Sequence, residues 1–246
     1  SQLVFPMPTF FIPNEGKPID FTEFEYSDPD KDGLVCVGAN FHPQTLISAY
    51  MHGLFPWFIH EGLPFWYCPD PRMVLLSGHL KISKSMSKIL DRHTFTITCD
   101  TAFDRVIKNC AQVVRKGSHE TWIDSDFISA YTLLHKYGLA HSFEAWQHNV
   151  LVGGLYGVSI GEVFFGESMF ALVANASKAA FISGVKFLES YQFKMIDCQV
   201  GTDHLRSLGA QDMSRNKFLK LLAFDVLPPS LNNKNWTSLF QTNLSH

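Results

Sequence analysis

Residues 94–99 (TFTITC) alternate apolar and polar positions with the period of two that a half-buried strand requires. Three further runs read as strands: 140–147 (AHSFEAWQ), 150–158 (VLVGGLYGV) and 162–170 (EVFFGESMF). The short connections His148–Asn149 and Ser159–Ile160–Gly161 predict hairpins between them. Between the first strand and this set the pattern turns helical. Asp100 is placed to cap a helix whose apolar face is Phe103, Val106, Ile107 and Cys110, and Asp124 or Ser125 opens a second that Gly138 ends. A helix is predicted from Ser177 to about Tyr191, then a strand over 193–200 (FKMIDCQV), then short helices around Leu205 and Phe218. Upstream, residues 43–53 predict a helix with Pro43 in its first position, Leu46, Ala49 and Tyr50 on one face and Gly53 as its stop. Around it GLFPWF and FWYCPDPR, with prolines at 56, 64, 69 and 71, read as too broken for regular elements. The expected organisation is a small N-terminal domain, residues 1–70, and a larger domain, residues 71–246, meeting between Pro64 and Arg72.

The order strand, two helices, three strands, helix, strand resembles an acetyltransferase (GNAT) core, which makes the fold class α+β. The glycine-rich pyrophosphate loop that a coenzyme A user places after the third of these strands is absent, so coenzyme A is not expected, nor any other cofactor. Composition narrows the class further. With 246 residues, 46% hydrophobic and 17% charged, the chain can bury a sizeable core. Its most apolar stretch, VFFGESMFALVANA from Val163, is interrupted by Glu167 and falls short of the ~20 apolar residues of a membrane helix. The first residues show no basic leader or cleavage site, so the expected compartment is the cytoplasm. Five cysteines form no CxxC pair, and eleven histidines form no metalloprotease-like pair, so neither a disulfide framework nor a metal site is expected.

Net charge is -3, but it is unevenly placed. Residues 1–33 carry seven acids against two lysines, whereas residues 81–116 carry eight basic residues against three acids. Within the basic segment Ser83 is placed to cap a helix that sets Lys84, Lys88 and Arg92 in one row, i, i+4, i+8. Like charges at that spacing repel by a few tenths of a kcal/mol per pair, so the row is either a solvated face or a set of phosphate contacts.

Candidate chemistry concentrates in two strands. In MIDCQV, alternation places Met195, Asp197 and Gln199 on one face and Ile196, Cys198 and Val200 on the other, which makes Cys198 a core residue. Two polar side chains in an apolar strand are a hydrogen-bonded structural pair or a site. Glu167 stands among Phe164, Phe165 and Met169, and needs a cation, backbone donors or a cleft. A pocket using Phe164, Glu167 and Met169 together requires a bulge, and Gly166 is where one can form. Trp57, Trp66, Trp122, Tyr131 and Trp146 offer rings for stacking a base or for the core.

Taken together, GLFPWF, FWYCPDPR, ETWID, AYTLLHKYGLAHSFEAW, LVGGLYGVSIGEVFFGESMF, NASKAAF and MIDCQV with HLRSLGA resemble the leucyl/phenylalanyl-tRNA-protein transferase family over about Gly38 to Leu222. The resemblance implies transfer of Leu or Phe, and Met less well, from aminoacyl-tRNA to the N-terminal Arg or Lys of acceptor proteins, creating a degradation signal. By matching motifs it assigns Trp57, Trp122, Tyr131 and Tyr50 to the 3′-terminal adenosine. It assigns Leu155, Phe164, Met169 and Ile196 to the aminoacyl side-chain pocket. Glu167, Asp197 and Gln199 fall at the catalytic centre, where Asp197 is expected to hydrogen-bond and polarise the Gln199 amide. The basic row of Lys84, Lys88 and Arg92 falls to tRNA phosphates, and the expected state is a monomer with no membrane partner. Two other readings compete: a non-catalytic tRNA-binding module, and a cysteine acyltransferase or hydrolase using Cys198 with His204.

Overall fold

Two β-sheets form the body of the computed structural model, which describes residues 10–23, 33–117, 125–222 and 234–244. Strands β1 (Phe10–Ile12) and β2 (Leu34–Gly38), helix α1 (Pro43–Met51), and the hairpin β3 (Phe55–His60) with β4 (Leu63–Tyr67) make the smaller unit, whose sheet order is β1-β2-β4-β3. Helix α1 forms as its pattern predicts, with Leu46, Ala49 and Tyr50 buried and Gly53 at φ +78° just beyond its end. Residues 55–58 of GLFPWF and 65–67 of FWYCPDPR, by contrast, are strand, while residues 68–71 are irregular as expected. Pro56 is tolerated because β3 is an edge strand and shifts register between Pro56 and Phe58. Pro64 pairs only with Ile59 of β3 and lies beyond the last β2 partner, so its missing N–H breaks no ladder on that side.

The larger unit contains β5 (Arg72–Leu76), α2 (Lys84–Asp91), β6 (Thr96–Cys99), α3 (Phe103–Gly117) and α4 (Ser125–Lys136). Next come β7 (Ala140–Gln147), β8 (Val150–Ile160), β9 (Val163–Ala171), α5 (Ala176–Ser190) and β10 (Met195–Gln199). The chain then adds α6 (Asp203–Ser207), β11 (Gln211–Met213), α7 (Arg215–Leu222) and α8 (Trp236–Leu244). From β6 to β10 the order is the predicted acetyltransferase-like one, whereas β11 and α8 carry no signal that the hydrophobic pattern exposes. The seven strands lie in the order β11-β5-β10-β9-β8-β7-β6, antiparallel except for the parallel β9–β10 pair. The fold is therefore α+β, a small N-terminal domain followed by an acetyltransferase-like one. Helices α3 and α4 share one core with the small sheet, while α5 and α8 cover the opposite face.

Local chemistry explains the remaining differences. His148 (φ 51°) and Asn149 (φ 61°) form the predicted two-residue turn, both in the left-handed region that matches strand twist. Strand β8 continues through Ile160, so the next turn is Gly161–Glu162, shorter than expected. Asp100 does not cap α3. Its backbone is left-handed, at φ 57°, and its carboxylate turns to β7, accepting from Ser142 N at 2.8 Å and meeting His141 Nδ1 at 2.6 Å. Glu144 takes over the start of α3, accepting from Ala102 N at 3.2 Å. Helix α4 begins at Ser125, and Asp124 lies outside the described residues.

Candidate functional site

Strands β9 and β10 run side by side only as far as the Phe165–Asp197 pair. Just past it both bulge. On β9, Tyr156 pairs with Ser168 and Gly157 with Gly166, which leaves Glu167 as the extra residue beside the predicted Gly166. On β10, Asp197 pairs with Val74 and Gln199 with Met73, so Cys198 is extra, and Gln199 adopts φ 62°. The two parallel strands separate there, and their polar side chains meet across the gap: Gln199 Nε2 donates to Glu167 Oε1 at 3.0 Å.

The bulge on β10 also breaks the regular pairing between Asp197 and Gln199. Cys198 is half-buried, packing against the core cluster that holds Ile196 and lining the same cavity, and burial with the Asp197 carboxylate pushes its thiol far up. The thiol also donates to Ile196 O at 3.8 Å and no hydrogen bond joins it to His204 Nε2, which counts against the Cys198–His204 reading.

Asp197 is fully buried, and so is its partner Arg72. The guanidinium clamps the carboxylate bidentately, Nε to Oδ1 at 2.8 Å and Nη2 to Oδ2 at 2.6 Å, and its Nη1 donates to Gly53 O at 2.8 Å. The group lies 4.4 Å from the Phe218 ring centre and 4.9 Å from that of Phe55. Asp197 Oδ1 also accepts from the Gln199 backbone N at 3.0 Å. The expected relay is thus corrected: Asp197 holds the backbone of Gln199, not its amide, because Arg72 occupies the carboxylate. Sequence reasoning missed Arg72. The signal was present, since a carboxylate inside an apolar strand demands a cation, and the PDPR run supplies one.

Glu167 is half-buried and receives hydrogen bonds from Gln199 and from the Tyr50 hydroxyl, which in turn contacts the Tyr131 hydroxyl. Burial raises its carboxyl to about 8, with the Asp197 charge adding to the rise and the Tyr50 and Gln199 hydrogen bonds and Arg72 opposing it. Tyr50 and Tyr131 are themselves fully buried, and burial followed by the Glu167 charge keeps both phenols protonated.

A cavity of about 400 Å³ opens beside this cluster. Leu155, Phe164, Met169 and Ile196 all line it, in two cross-strand pairs, Leu155–Met169 and Phe164–Ile196. Gly184 also lines it, and the position has no room for a side chain, since a Cβ there would stand 2.9 Å from the Phe143 ring. At the rim Trp57 is 43% exposed and stands edge-on to Tyr67. Trp122 lies outside the described residues. Lys84, Lys88 and Arg92 sit exposed on and just after α2, with Ser83 capping the helix through Met86 N at 3.2 Å, and are not part of the cavity wall. Among the described residues no cluster of His, Cys, Asp and Glu is arranged to hold a metal ion. No described helix is long and apolar enough to cross a membrane.

Comparison with known proteins gives two family matches, "Leucyl/phenylalanyl-tRNA protein transferase N-terminal domain" over residues 39–70 and "Leucyl/phenylalanyl-tRNA protein transferase" over residues 74–223. A leucyl/phenylalanyl-tRNA–protein transferase of Anaeromyxobacter dehalogenans is 44% identical over 228 residues, 93% of this chain and 96% of that protein. One of Flavobacterium johnsoniae is 49% identical over 197 residues, 80% of this chain and 92% of that protein. Among solved structures, a GCN5-related N-acetyltransferase from Kribbella flavida aligns at 12% identity with a TM-score of 0.35, over 70% of this chain and 61% of that one.

Proposed function

This chain belongs to the leucyl/phenylalanyl-tRNA protein transferase family, and from that premise we propose how the described cavity carries the reaction. The protein is an aminoacyltransferase, moving an amino acid from aminoacyl-tRNA onto the N-terminus of an acceptor protein. Its donors are Leu-tRNA and Phe-tRNA, with Met less well used, and its acceptors begin with Arg or Lys. The observation that carries this reading is a cavity of about 400 Å³ whose apolar wall of Leu155, Phe164, Met169 and Ile196 ends on the Glu167–Gln199 pair. The wall takes the Leu or Phe side chain. Trp57 at the rim, with Trp122, stacks the 3′-terminal adenosine, whereas Tyr50 and Tyr131, fully buried and outside the cavity wall, do not reach it and instead hold Glu167 through the Tyr50 hydroxyl. Exposed Lys84, Lys88 and Arg92 contact tRNA phosphates. One chain supplies every group named, so a monomer suffices, and the cytoplasm is where charged tRNA is available.

Aminolysis of an ester by an amine is downhill and needs no nucleotide, so holding amine and carbonyl together supplies most of the acceleration, up to ~7–11 kcal/mol. The acceptor's α-ammonium, with an ordinary pKa of about 8, must first lose a proton. Glu167, raised to about 8, is matched to take it. The amine nitrogen then attacks the ester carbonyl, its second proton passes to the departing ribose oxygen, and a peptide bond replaces the ester. Gln199 orients Glu167, and the Arg72–Asp197 pair fixes the backbone of Gln199. The test is incubation with radiolabelled Phe-tRNA and a peptide beginning with Arg, which should yield a peptide extended by Phe. A charged tRNA left intact beside an unextended peptide would sink the reading, and a tRNA bound without transfer would favour the non-catalytic module.

A further inference from the structure

A pocket for one side chain needs an end, and that end sets the largest group it takes. In the larger sheet the cavity is lined from β10, β9, β8 and β7, and among the described residues Phe143 is what β7 contributes. Cross-strand pairing sets it in one row with the apolar wall: Met169 pairs with Leu155, and Leu155 with Phe143. Directly paired side chains stand on the same face of a sheet, so a group lying over Met169 and Leu155 next meets the Phe143 ring. That ring also meets Phe164 edge-on, with centres 6.1 Å apart. Phe143 has no exposed surface, so the cavity stops at it and does not run past.

The ring is fixed from behind. Phe187 of α5 lies 6.0 Å from it, and Trp236 and Phe240 of α8 lie 6.4 and 5.8 Å away, centre to centre. Close packing of this kind resists displacement of any one ring.

Gly184 makes the room. It is buried inside α5, where glycine is a poor helix former, and it lines the cavity beside Phe143. A Cβ at position 184 would stand 2.9, 3.0 and 3.1 Å from Cδ2, Cγ and Cε2 of Phe143. These are the inner atoms of a wedged ring and cannot yield as the tip of a flexible chain would. A side chain at 184 and the ring at 143 therefore exclude each other, and the helix carries its glycine where the ring needs space.

We propose that Phe143, admitted by Gly184, is the specificity-determining stop of the aminoacyl pocket and sets the upper size limit of the side chain transferred. This rests on the transferase reading above. The experiment measures kcat/KM for transfer by the full chain to an Arg-initiated peptide from one tRNA body charged with Val, Leu, Phe or Trp, so that only the side chain differs. The wild type is expected to use Trp at least tenfold less well than Phe. Phe143→Val removes the ring and keeps a residue suited to a strand. It should raise the Trp-to-Phe ratio about tenfold and leave the Val-to-Phe ratio no higher than before.

Gly184→Ala alone should lower the melting midpoint. Added to Phe143→Val it should raise the midpoint instead, because its methyl enters the space that the ring left, and it should return the Trp-to-Phe ratio part of the way. A wild type that uses Trp as well as Phe, an unchanged Trp-to-Phe ratio in Phe143→Val, or a rise shared equally by Val overturns the proposal. So does a Gly184→Ala change whose effect on the midpoint is the same with and without the ring. If Phe143→Val does not fold, Phe143→Leu, which keeps more of the core, is read in the same way. Wild-type protein that transfers nothing overturns the transferase reading and this one with it, whereas transfer whose size preference is indifferent to residue 143 overturns this one only.

Discussion

A carboxyl held at about 8 changes charge in the same range as a free α-amine, and this gives Glu167 two measurable signatures. Its folded-state value is raised, so between the ordinary carboxyl range and about 8 the folded protein binds more protons than the unfolded chain, and stability falls as pH rises through that window. Glu167→Gln removes the penalty. Its melting midpoint should exceed that of the wild type by more at about pH 9 than at about pH 5, while its single-turnover rate should drop and lose the rise with pH near neutrality. A midpoint gain that is the same at both ends would mean that Glu167 is not a raised acid. The apolar wall is subject to a different limit, since one methylene distinguishes substrates by only roughly 1–3 kcal/mol. Trimming Phe164 or Met169 to Ala should therefore narrow, not abolish, the preference for Phe and Leu over Val in competition assays. A fixed preference ratio in both variants would place the side-chain pocket elsewhere.

At the scale of the element, α2 presents Lys84 and Lys88, and Arg92 follows directly, all three exposed, while Met86, Ile89 and Leu90 pack on the core. Replacing all three by Ala should leave stability nearly unchanged and flatten the slope of log tRNA affinity against log salt by up to about three times 0.7–0.9. An intact slope would make the row a solvated face. This helix was legible from sequence because its cap, stripe and row are all local. The same holds for α1 and for the β7–β8 turn at His148–Asn149, where 3.6- or 2-residue spacing meets the right terminal residue, whereas α3 follows the spacing through Val106 and Ile107 but lacks its expected cap. The strands around Pro56 and Pro64 were not legible, because what tolerates a proline is the identity of the neighbouring strand. Nor was the true geometry of MIDCQV. Alternation placed Asp197 and Gln199 on one face, but two facing bulges, and not alternation, bring Gln199 to Glu167. The bulge on β9 could be anticipated from the residue types required at one pocket, whereas the bulge on β10 follows from its pairing with β5.

Across the whole molecule, the site belongs to neither sheet alone. Trp57 comes from β3 and Tyr50 from α1, while Glu167, Asp197 and Gln199 come from β9 and β10. Arg72, at the start of β5, ties these parts together by gripping Asp197, binding Gly53 O beyond α1, and packing against Phe55 of β3 and Phe218 of α7. Arg72→Leu would leave the Asp197 charge buried and unpaired, at a cost of about 3–5 kcal/mol, and should abolish transfer. The double change Arg72→Leu with Asp197→Leu removes the stranded charge, so denaturant titration should show most of that stability recovered. Transfer should not recover with it, because the Gln199 backbone still lacks the acceptor that fixes its left-handed conformation, and Gln199 then no longer orients Glu167. A stable double variant that transfers normally would reduce the pair to a packing device between the two sheets. A double variant as unstable as the single would mean that the bonds of Arg72 to Gly53 and its ring contacts, not the ion pair, hold the sheets together around the cavity.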